Sequence, residues 1–291
     1  MKSKFNIPPI PAVIIAIISV QCGAAIAKGL FPEIGAAATA SLRIGLSAAI
    51  LLITFRPNFL KFNIKQWKYL LLYGGSLGLM NMIFYSAIER IPIGLGVTLE
   101  FVGPLLLAIF GSKKAIDFIW VILSIVGIAL IAPWTSNGLN VSGVLLALLA
   151  GGFWAAYIVL GGKISKIMKG GEAVSIGMLI ATIIILPFGI LSGGLYHLTP
   201  KLLGLGTALA LLSSAIPFTL EISALKQLPA KTFSILMSLE PAMASLAAFV
   251  FLKEHLSFTE CVAVTCVVIA SAGSSLTARK TKQPDLKVNG I

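Results

Sequence analysis

Four ionisable side chains interrupt stretches of this sequence that are otherwise apolar enough to cross a membrane: Arg43, Glu100, Glu221 and Glu240. A charge inside a bilayer is costly unless it is paired or faces water, and by default it marks a substrate or ion pathway. An arginine can bind a carboxylate, while a glutamate can bind an ammonium group or carry a proton. Arg43 with Glu100 or Glu240 could therefore bind a zwitterion, which needs one cation and one anion.

A structural interpretation of the same charges stays open. Arg43 and one glutamate could form a buried ion pair that holds two helices in register. Glu221 lies toward the end of its apolar stretch, so its carboxylate could instead reach the lipid headgroups. The sequence does not decide between these two roles.

Polar and aromatic side chains supply further candidates. Asn81 and Tyr85 lie four residues apart, and Trp154 and Tyr157 lie three apart. Each pair therefore shares a helix face and could line a cavity. Gln21 is a polar side chain in the middle of the first apolar stretch. Packing and hydrogen bonding between helices is the alternative role for these residues.

Composition defines the elements that must position these residues. The 291 residues are 58% hydrophobic and 11% charged, whereas soluble proteins average about 25% charged residues. Apolar runs of membrane length predict about ten spans. Their approximate bounds are 11–30, 35–55, 67–88, 92–111, 116–133, 141–161, 173–192, 202–222, 229–251 and 260–277. We therefore expect an all-α polytopic membrane protein without a separate soluble domain.

The basic residues orient these spans. With the N-terminus in the cytoplasm, the ten-span map places 17 of the 22 lysine and arginine residues on the cytoplasmic side. Four lie on the other face (Lys28, Arg90, Lys201 and Lys253), and Arg43 lies within a span. This asymmetry is the positive-inside pattern, and it predicts that both termini are cytoplasmic. It also explains the net charge of +12 without nucleic-acid binding.

An internal repeat divides the chain into two halves, residues 1–137 and 138–291. At an offset of 137 residues, identical residues recur in both halves; the pairs are Ser86-Ala87 with Ser223-Ala224, Pro92 with Pro229, Leu99 with Leu236, and Pro104 with Pro241. Each half has five spans, so the second half must enter the membrane from the opposite side. Inverted repeats of this kind are typical of secondary transporters that alternate access to a midplane site.

Three prolines, Pro104, Pro217 and Pro241, lie inside predicted spans. Because proline has no N–H, each one frees a carbonyl in the preceding turn and can bend the helix. We expect these prolines to shape the pathway and not to bind the substrate. Gly74 and Gly78 have the small-xxx-small spacing that lets two membrane helices approach closely.

Several short stretches resemble the EamA-type drug/metabolite transporters, and among these most of all the threonine and homoserine exporters. The stretches are Gly23-Ala24-Ala25-Ile26-Ala27-Lys28, Tyr85 with Pro92 through Leu99-Glu100-Phe101, Gly103-Pro104-Leu105, Trp154-Ala155-Ala156-Tyr157-Ile158 and Ser238-Leu239-Glu240-Pro241-Ala242. The resemblance covers residues 10–280. It implies ten helices, a central cavity between the halves and efflux of small metabolites.

The resemblance favours export of threonine or homoserine across the inner membrane of a bacterium, and the glutamates inside the spans favour coupling of that export to protons. Relatives also export aromatic amino acids, cysteine-pathway metabolites, purines and drugs, so those substrates remain alternatives. The expected partners are a small zwitterionic metabolite, protons and the lipid bilayer.

Missing motifs argue against an enzyme. The sequence has no G-x-x-x-x-G-K-[ST] phosphate loop, so ATP does not drive it directly. Its histidines are His197 and His255 and its aspartates are Asp117 and Asp285, which excludes an H-E-x-x-H zinc site and an aspartate-rich magnesium site. We expect no cofactor and no metal. A polytopic membrane enzyme is the remote alternative.

The cysteines, Cys22, Cys261 and Cys266, all fall in apolar stretches. Cysteine packs there as a small hydrophobic residue, so we predict buried thiols and no disulfide framework.

Overall fold

A computed structural model describes residues 7–91, 93–110, 115–131 and 140–237, with short pieces at 239–240, 243, 258–259, 261–262, 265–266 and 268–270. All regular structure within these residues is helical, as the sequence predicted. The α-helices are α1 (Pro9–Phe55), α2 (Ile64–Ile88), α3 (Ile93–Glu100), α4 (Val102–Phe110), α5 (Ala115–Ile131), α6 (Val141–Ile167), α7 (Gly170–Leu191), α8 (Pro200–Ala210), α9 (Ile216–Gln227) and α10 (Ala230–Met237).

Five helical stretches within the described residues are long and apolar enough to cross a membrane. They are Gly29–Phe55, Ile64–Ile88, Val141–Ile167, Gly170–Leu191 and Pro200–Gln227. Pro9–Gly23 and Ala115–Gly127 are shorter apolar helices. The chain is therefore a polytopic helical membrane protein. The predicted span at 229–251 lies partly outside the described residues, and the predicted span at 260–277 lies largely outside them.

The first two predicted spans are joined in α1, which is 47 residues long and is kinked at Gly35. Gly35 has φ 75° and ψ 167°, a conformation that glycine adopts without the steric cost of a Cβ atom. The kink separates an N-terminal arm, residues 9–34, from a C-terminal arm, residues 36–55. The N-terminal arm carries Gln21 and the C-terminal arm carries Arg43.

The predicted span at 92–111 is interrupted at Phe101, between α3 and α4. The interruption packs directly on α6: a Cβ atom at Gly103 would collide with the backbone of Gly151, and one at Gly151 would collide with the Glu100 carbonyl. Phe101 lies edge-on to Trp154, with ring centroids 4.6 Å apart. Glycines on both helices thus permit a backbone contact that places Glu100 beside α6.

Close packing of α2 on α7 confirms the prediction for the glycine pair. A Cβ atom at Gly74 would lie 2.8 Å from the Gly177 carbonyl oxygen, and one at Gly78 would lie 3.0 Å from Ala181 Cα. Helix α2 also packs extensively on α6, and α1 packs on α7, α8 and α9. Side chains from α1, α2, α6, α7 and α9 therefore share one hydrophobic core.

The cysteines do not occupy that core. Cys22 and Cys261 are exposed and Cys266 is half-buried, although all three are free, as predicted. The prediction of buried thiols was wrong because an apolar stretch of a membrane protein can face lipid as readily as it faces other helices.

Candidate substrate site between the helices

The guanidinium group of Arg43 connects three helical segments. It donates hydrogen bonds to Asn81 Oδ1 on α2 and, at 3.4 Å, to the Ser213 carbonyl between α8 and α9. Its Cζ atom lies 6.0 Å from the centroid of the Tyr85 ring, within reach of a cation–π interaction. The structure therefore brings Arg43 of α1 together with Asn81 and Tyr85, which share one face of α2.

Asn81 is oriented by its own helix. Its Nδ2 atom donates to the Leu77 carbonyl at 2.9 Å, which leaves the amide oxygen to accept from Arg43. Among the described residues, no carboxylate oxygen lies within ion-pair distance of Arg43. The guanidinium is thus held by neutral groups, and its charge is available to an anionic ligand.

Two glutamates lie in the electrostatic field of Arg43. Glu100 ends α3 and is 9% exposed. Charge interactions link Arg43 to Glu100 and to Glu240, and the two carboxylates repel each other. The Gln21 side chain, on the N-terminal arm of α1, contacts the backbone of the same region, since its Nε2 atom lies 3.4 Å from the Glu240 carbonyl oxygen. One cation and two carboxylates therefore share this part of the bundle.

Glu221 belongs to a second cluster, the Glu221 cluster, which also contains Tyr157 on α6, Phe218 on α9 and Tyr73 on α2. It is 4% exposed, and its Oε2 atom accepts a 2.9 Å hydrogen bond from the Tyr157 hydroxyl. The Tyr157 ring stacks on Tyr73 at 5.2 Å and meets Phe218 edge-on at 5.6 Å. Glu221 is therefore enclosed by protein, and the interpretation that it reaches the headgroups was wrong.

Trp154 lies beside the helix interruption that follows Glu100. It packs on Phe101, the residue after Glu100, and is 8% exposed. Trp154 and Tyr157 both lie on α6, but Trp154 packs near Glu100 whereas Tyr157 binds Glu221.

Sequence reasoning missed Tyr73, Phe218 and Ser213. Tyr73 had a usable signal, because it lies eight residues before Asn81 and so on nearly the same face of α2. Ser213 contributes its backbone carbonyl, and because every residue has one, the residue type could not predict this contact. Its indirect signal is Pro217, four residues later in the same span.

A cavity of about 280 Å³ opens between α1, α2 and α7. Tyr85 lines it together with Ser86, Glu89 and Ser192. Tyr85 also lies under the Arg43 guanidinium, so this cavity borders the Arg43 cluster, which consists of Arg43, Asn81 and Tyr85.

Comparison with known proteins gives consistent relatives. Residues 141–276 match the model of the EamA-like transporter family. The threonine/homoserine exporter RhtA of Salmonella typhimurium (strain SL1344) is 42% identical over 286 residues, which cover 96% of each chain. The threonine/homoserine exporter RhtA of Escherichia coli (strain K12) is also 42% identical over 286 residues, covering 97% of this chain and 96% of its own.

Solved structures share the fold. One of them is a crystal structure 17% identical in sequence that superposes with a TM-score of 0.74, covering 92% of this chain and 99% of its own.

Proposed function

The chain belongs to the EamA-like transporter family, and we propose that it exports threonine, homoserine and similar small amino acids across the inner membrane of a bacterium. Family membership makes it a multi-pass transporter and not an enzyme. The observation that carries the substrate proposal is 42% identity, across almost the whole chain, to proteins named threonine/homoserine exporters. The Arg43 cluster is chemically suited to such a substrate.

Arg43 binds the substrate carboxylate in this proposal. Asn81 and Tyr85 hold the guanidinium in place, so the carboxylate can use donors that are already oriented. Glu100 or Glu240 then binds the substrate ammonium, since both carboxylates lie in the field of Arg43. The two ends of a zwitterion are thereby matched by charges from different helices.

Proton coupling follows from competition at the same carboxylate. A glutamate that holds a proton when the site is empty and an ammonium group when it is loaded exchanges one cation for the other. Inward movement of protons would then drive outward movement of the amino acid. The absence of a phosphate-binding loop from the sequence also favours an ion gradient over ATP as the energy source.

The architecture in this proposal is ten spans in two inverted halves, residues 1–137 and 138–291, with both termini in the cytoplasm. Contacts between helices support it. The repeat relates spans 3 and 6 to spans 8 and 1, and α2 packs on α6 while α8 and α9 pack on α1. A reporter fused after Lys166 should report the cytoplasm and one fused after Asn137 the periplasm. The opposite result would reject the map.

A further correspondence supports the inverted halves. At the offset of 137 residues, Gly103 corresponds to Glu240. The Gly103 backbone meets Gly151 on α6, and the Glu240 backbone meets Gln21 on the N-terminal arm of α1. Equivalent positions of the two halves thus make equivalent contacts between spans.

Transport into everted membrane vesicles with an acidic interior tests the function. Export then appears as uptake, and threonine and homoserine should accumulate and dissipate the pH gradient. A panel with an aromatic amino acid, a cysteine derivative, a purine and a cationic drug supplies the alternatives. Accumulation of one of these in the absence of threonine and homoserine transport would overturn the substrate assignment.

A further inference from the structure

A π-helical segment, Leu211–Ala215, lies between α8 and α9 in the same membrane span. Here the Ile216 N–H donates to the Leu211 carbonyl, five residues earlier. Pro217 comes next and has no N–H, so position 217 offers no donor to the carbonyl four residues before it, that of Ser213, or five before it, that of Leu212. Two neighbouring carbonyls in the middle of a membrane span are therefore open to side chains.

Both carbonyls accept hydrogen bonds from α1, one from each side of its kink. Ser19 Oγ on the N-terminal arm donates to Leu212 O at 2.6 Å, and Arg43 Nη1 on the C-terminal arm donates to Ser213 O at 3.4 Å. Gly23 also packs on this segment so closely that a Cβ atom there would collide with the Ser213 side chain. The π-helical segment is thus held between the two arms of α1.

The two bonds differ in length. The Ser19 bond is short, whereas the Arg43 bond is near the limit for a hydrogen bond. An arginine makes stronger, shorter bonds of about 2.7–2.9 Å to a carboxylate, often two in parallel. A substrate carboxylate is therefore a better partner for Arg43 than the Ser213 carbonyl is.

We propose that the Ser213 carbonyl is the resting partner of Arg43 and that the substrate carboxylate displaces it, which releases the π-helical segment as a hinge. This inference rests on the proposed role of Arg43 in substrate binding. Asn81 keeps its bond to the guanidinium, while the segment stays attached to α1 through Ser19. Pro217 is then a positioning residue, because it keeps the Ser213 carbonyl open.

The hinge connects the Arg43 cluster to the Glu221 cluster. Helix α9 begins directly after the π-helical segment and carries both Phe218 and Glu221. A change of register at the hinge would rotate α9 and so alter the contact of Glu221 with Tyr157. Binding of the substrate at Arg43 would thereby change the contacts of the buried Glu221 carboxylate.

Pro217→Ala tests this directly, since it restores an N–H that can occupy the Ser213 carbonyl. In this variant Arg43 has no bond to the Ser213 carbonyl that must be broken first. Threonine should therefore bind about fivefold tighter, which corresponds to the free energy of one weak hydrogen bond to a charged group. The maximal transport rate should fall about tenfold because the hinge no longer has two states. A proline with a merely structural role would lower affinity and rate together or leave both unchanged, and either result would overturn the proposal.

Pro187→Ala is the matched control. Pro187 lies inside the membrane helix α7 and is exposed, away from the Arg43 contacts, so affinity should stay at the wild-type value. Wild-type protein that binds neither threonine nor homoserine would refute the proposed function and not the hinge alone.

Hydrogen–deuterium exchange on wild-type protein keeps the test valid if Pro217→Ala does not fold. Saturating threonine should increase amide exchange across residues 211–221, because Arg43 leaves the segment, while exchange in α7 stays constant. Unchanged or slower exchange across residues 211–221 would reject the hinge.

Discussion

Arg43 and Glu221 are both ionisable side chains inside the helical bundle, but their surroundings differ. Arg43 is half-buried and donates hydrogen bonds to two neutral oxygens, those of Asn81 and Ser213. Its Nε atom has no hydrogen-bond partner among the described residues. Glu221 is 4% exposed and accepts a 2.9 Å bond from Tyr157, whose ring is packed by two more aromatic side chains.

The difference indicates two kinds of site. Arg43 has a long, 3.4 Å bond to the neutral Ser213 carbonyl, which an anion can replace directly. Glu221 can change its partner only if α6 and α9 move relative to each other, because aromatic rings surround its contact. A ligand should therefore act on Arg43 directly and on Glu221 through a change of helix packing.

The largest expected effect is at Arg43. An Arg43→Lys variant keeps the charge but loses the planar fork that binds a carboxylate in two parallel bonds. Affinity for threonine should fall about 30-fold or more while the protein stays folded, measured by binding to the purified transporter. Arg56→Lys, at the exposed end of the same helix, should bind normally. Normal affinity in Arg43→Lys would make Arg43 a structural residue and remove the contrast with Glu221.

Variants of the carboxylates near Arg43 should lose proton coupling but keep the exchange of substrate for substrate. Glu100→Gln or Glu240→Gln should reduce pH-driven uphill transport about tenfold or more, because the coupling proton is lost. Exchange of internal for external threonine should persist at saturating threonine, because the glutamine amide oxygen still accepts a hydrogen bond from the substrate ammonium. Glu33→Gln, an exposed change on α1, is the control for vesicle quality. If both variants retain full pH-driven transport, neither carboxylate couples, and Glu221 becomes the residue to test.

Tyr157→Phe tests whether the Glu221 cluster stabilises the fold without taking part in substrate binding. The variant removes the one hydrogen bond shown for the Glu221 carboxylate and leaves the ring stack, so the free energy of unfolding in detergent should fall by about 1–3 kcal/mol. Threonine affinity should change less than twofold. Tyr196→Phe, at an exposed position, should be neutral. A large loss of affinity in Tyr157→Phe would place Tyr157 in the substrate site and merge the two clusters.

Residue type and spacing could predict which side chains would matter here, but not which of them would meet. Arg43, Asn81 and Glu221 stand out because polar groups are expensive in apolar stretches. The bond of Arg43 to Ser213 could not be predicted, since its acceptor is a backbone carbonyl made available by a π-helical register. The bond of Tyr157 to Glu221 depends on contact between α6 and α9, which periodicity does not determine.

The fold shows the same division. The glycine spacing at Gly74 and Gly78 predicted close packing because a missing Cβ atom has one direct consequence, the approach of another helix. The interruption at Phe101 comes three residues before Pro104, one of the prolines expected to bend its span, because Pro104 offers no N–H to the Glu100 carbonyl. The contact of that interruption with α6, between Gly103 and Gly151, could not be predicted, because these two glycines are distant in the sequence.

The last test concerns the packing of α2, which carries residues of both clusters. Gly78→Ala would push a Cβ atom against Ala181 Cα at 3.0 Å and should destabilise the protein by about 1–3 kcal/mol in thermal unfolding. Gly75→Ala is the matched control, because a Cβ atom there meets nothing within 4 Å. Asn81 follows Gly78 by one turn, so displacement of α2 should weaken threonine binding about two- to threefold without altering the fluorescence of aromatic residues near Glu221. Equal disturbance of both clusters would mean that α2 moves as one rigid rod, and that the two regions are coupled through packing before any substrate binds.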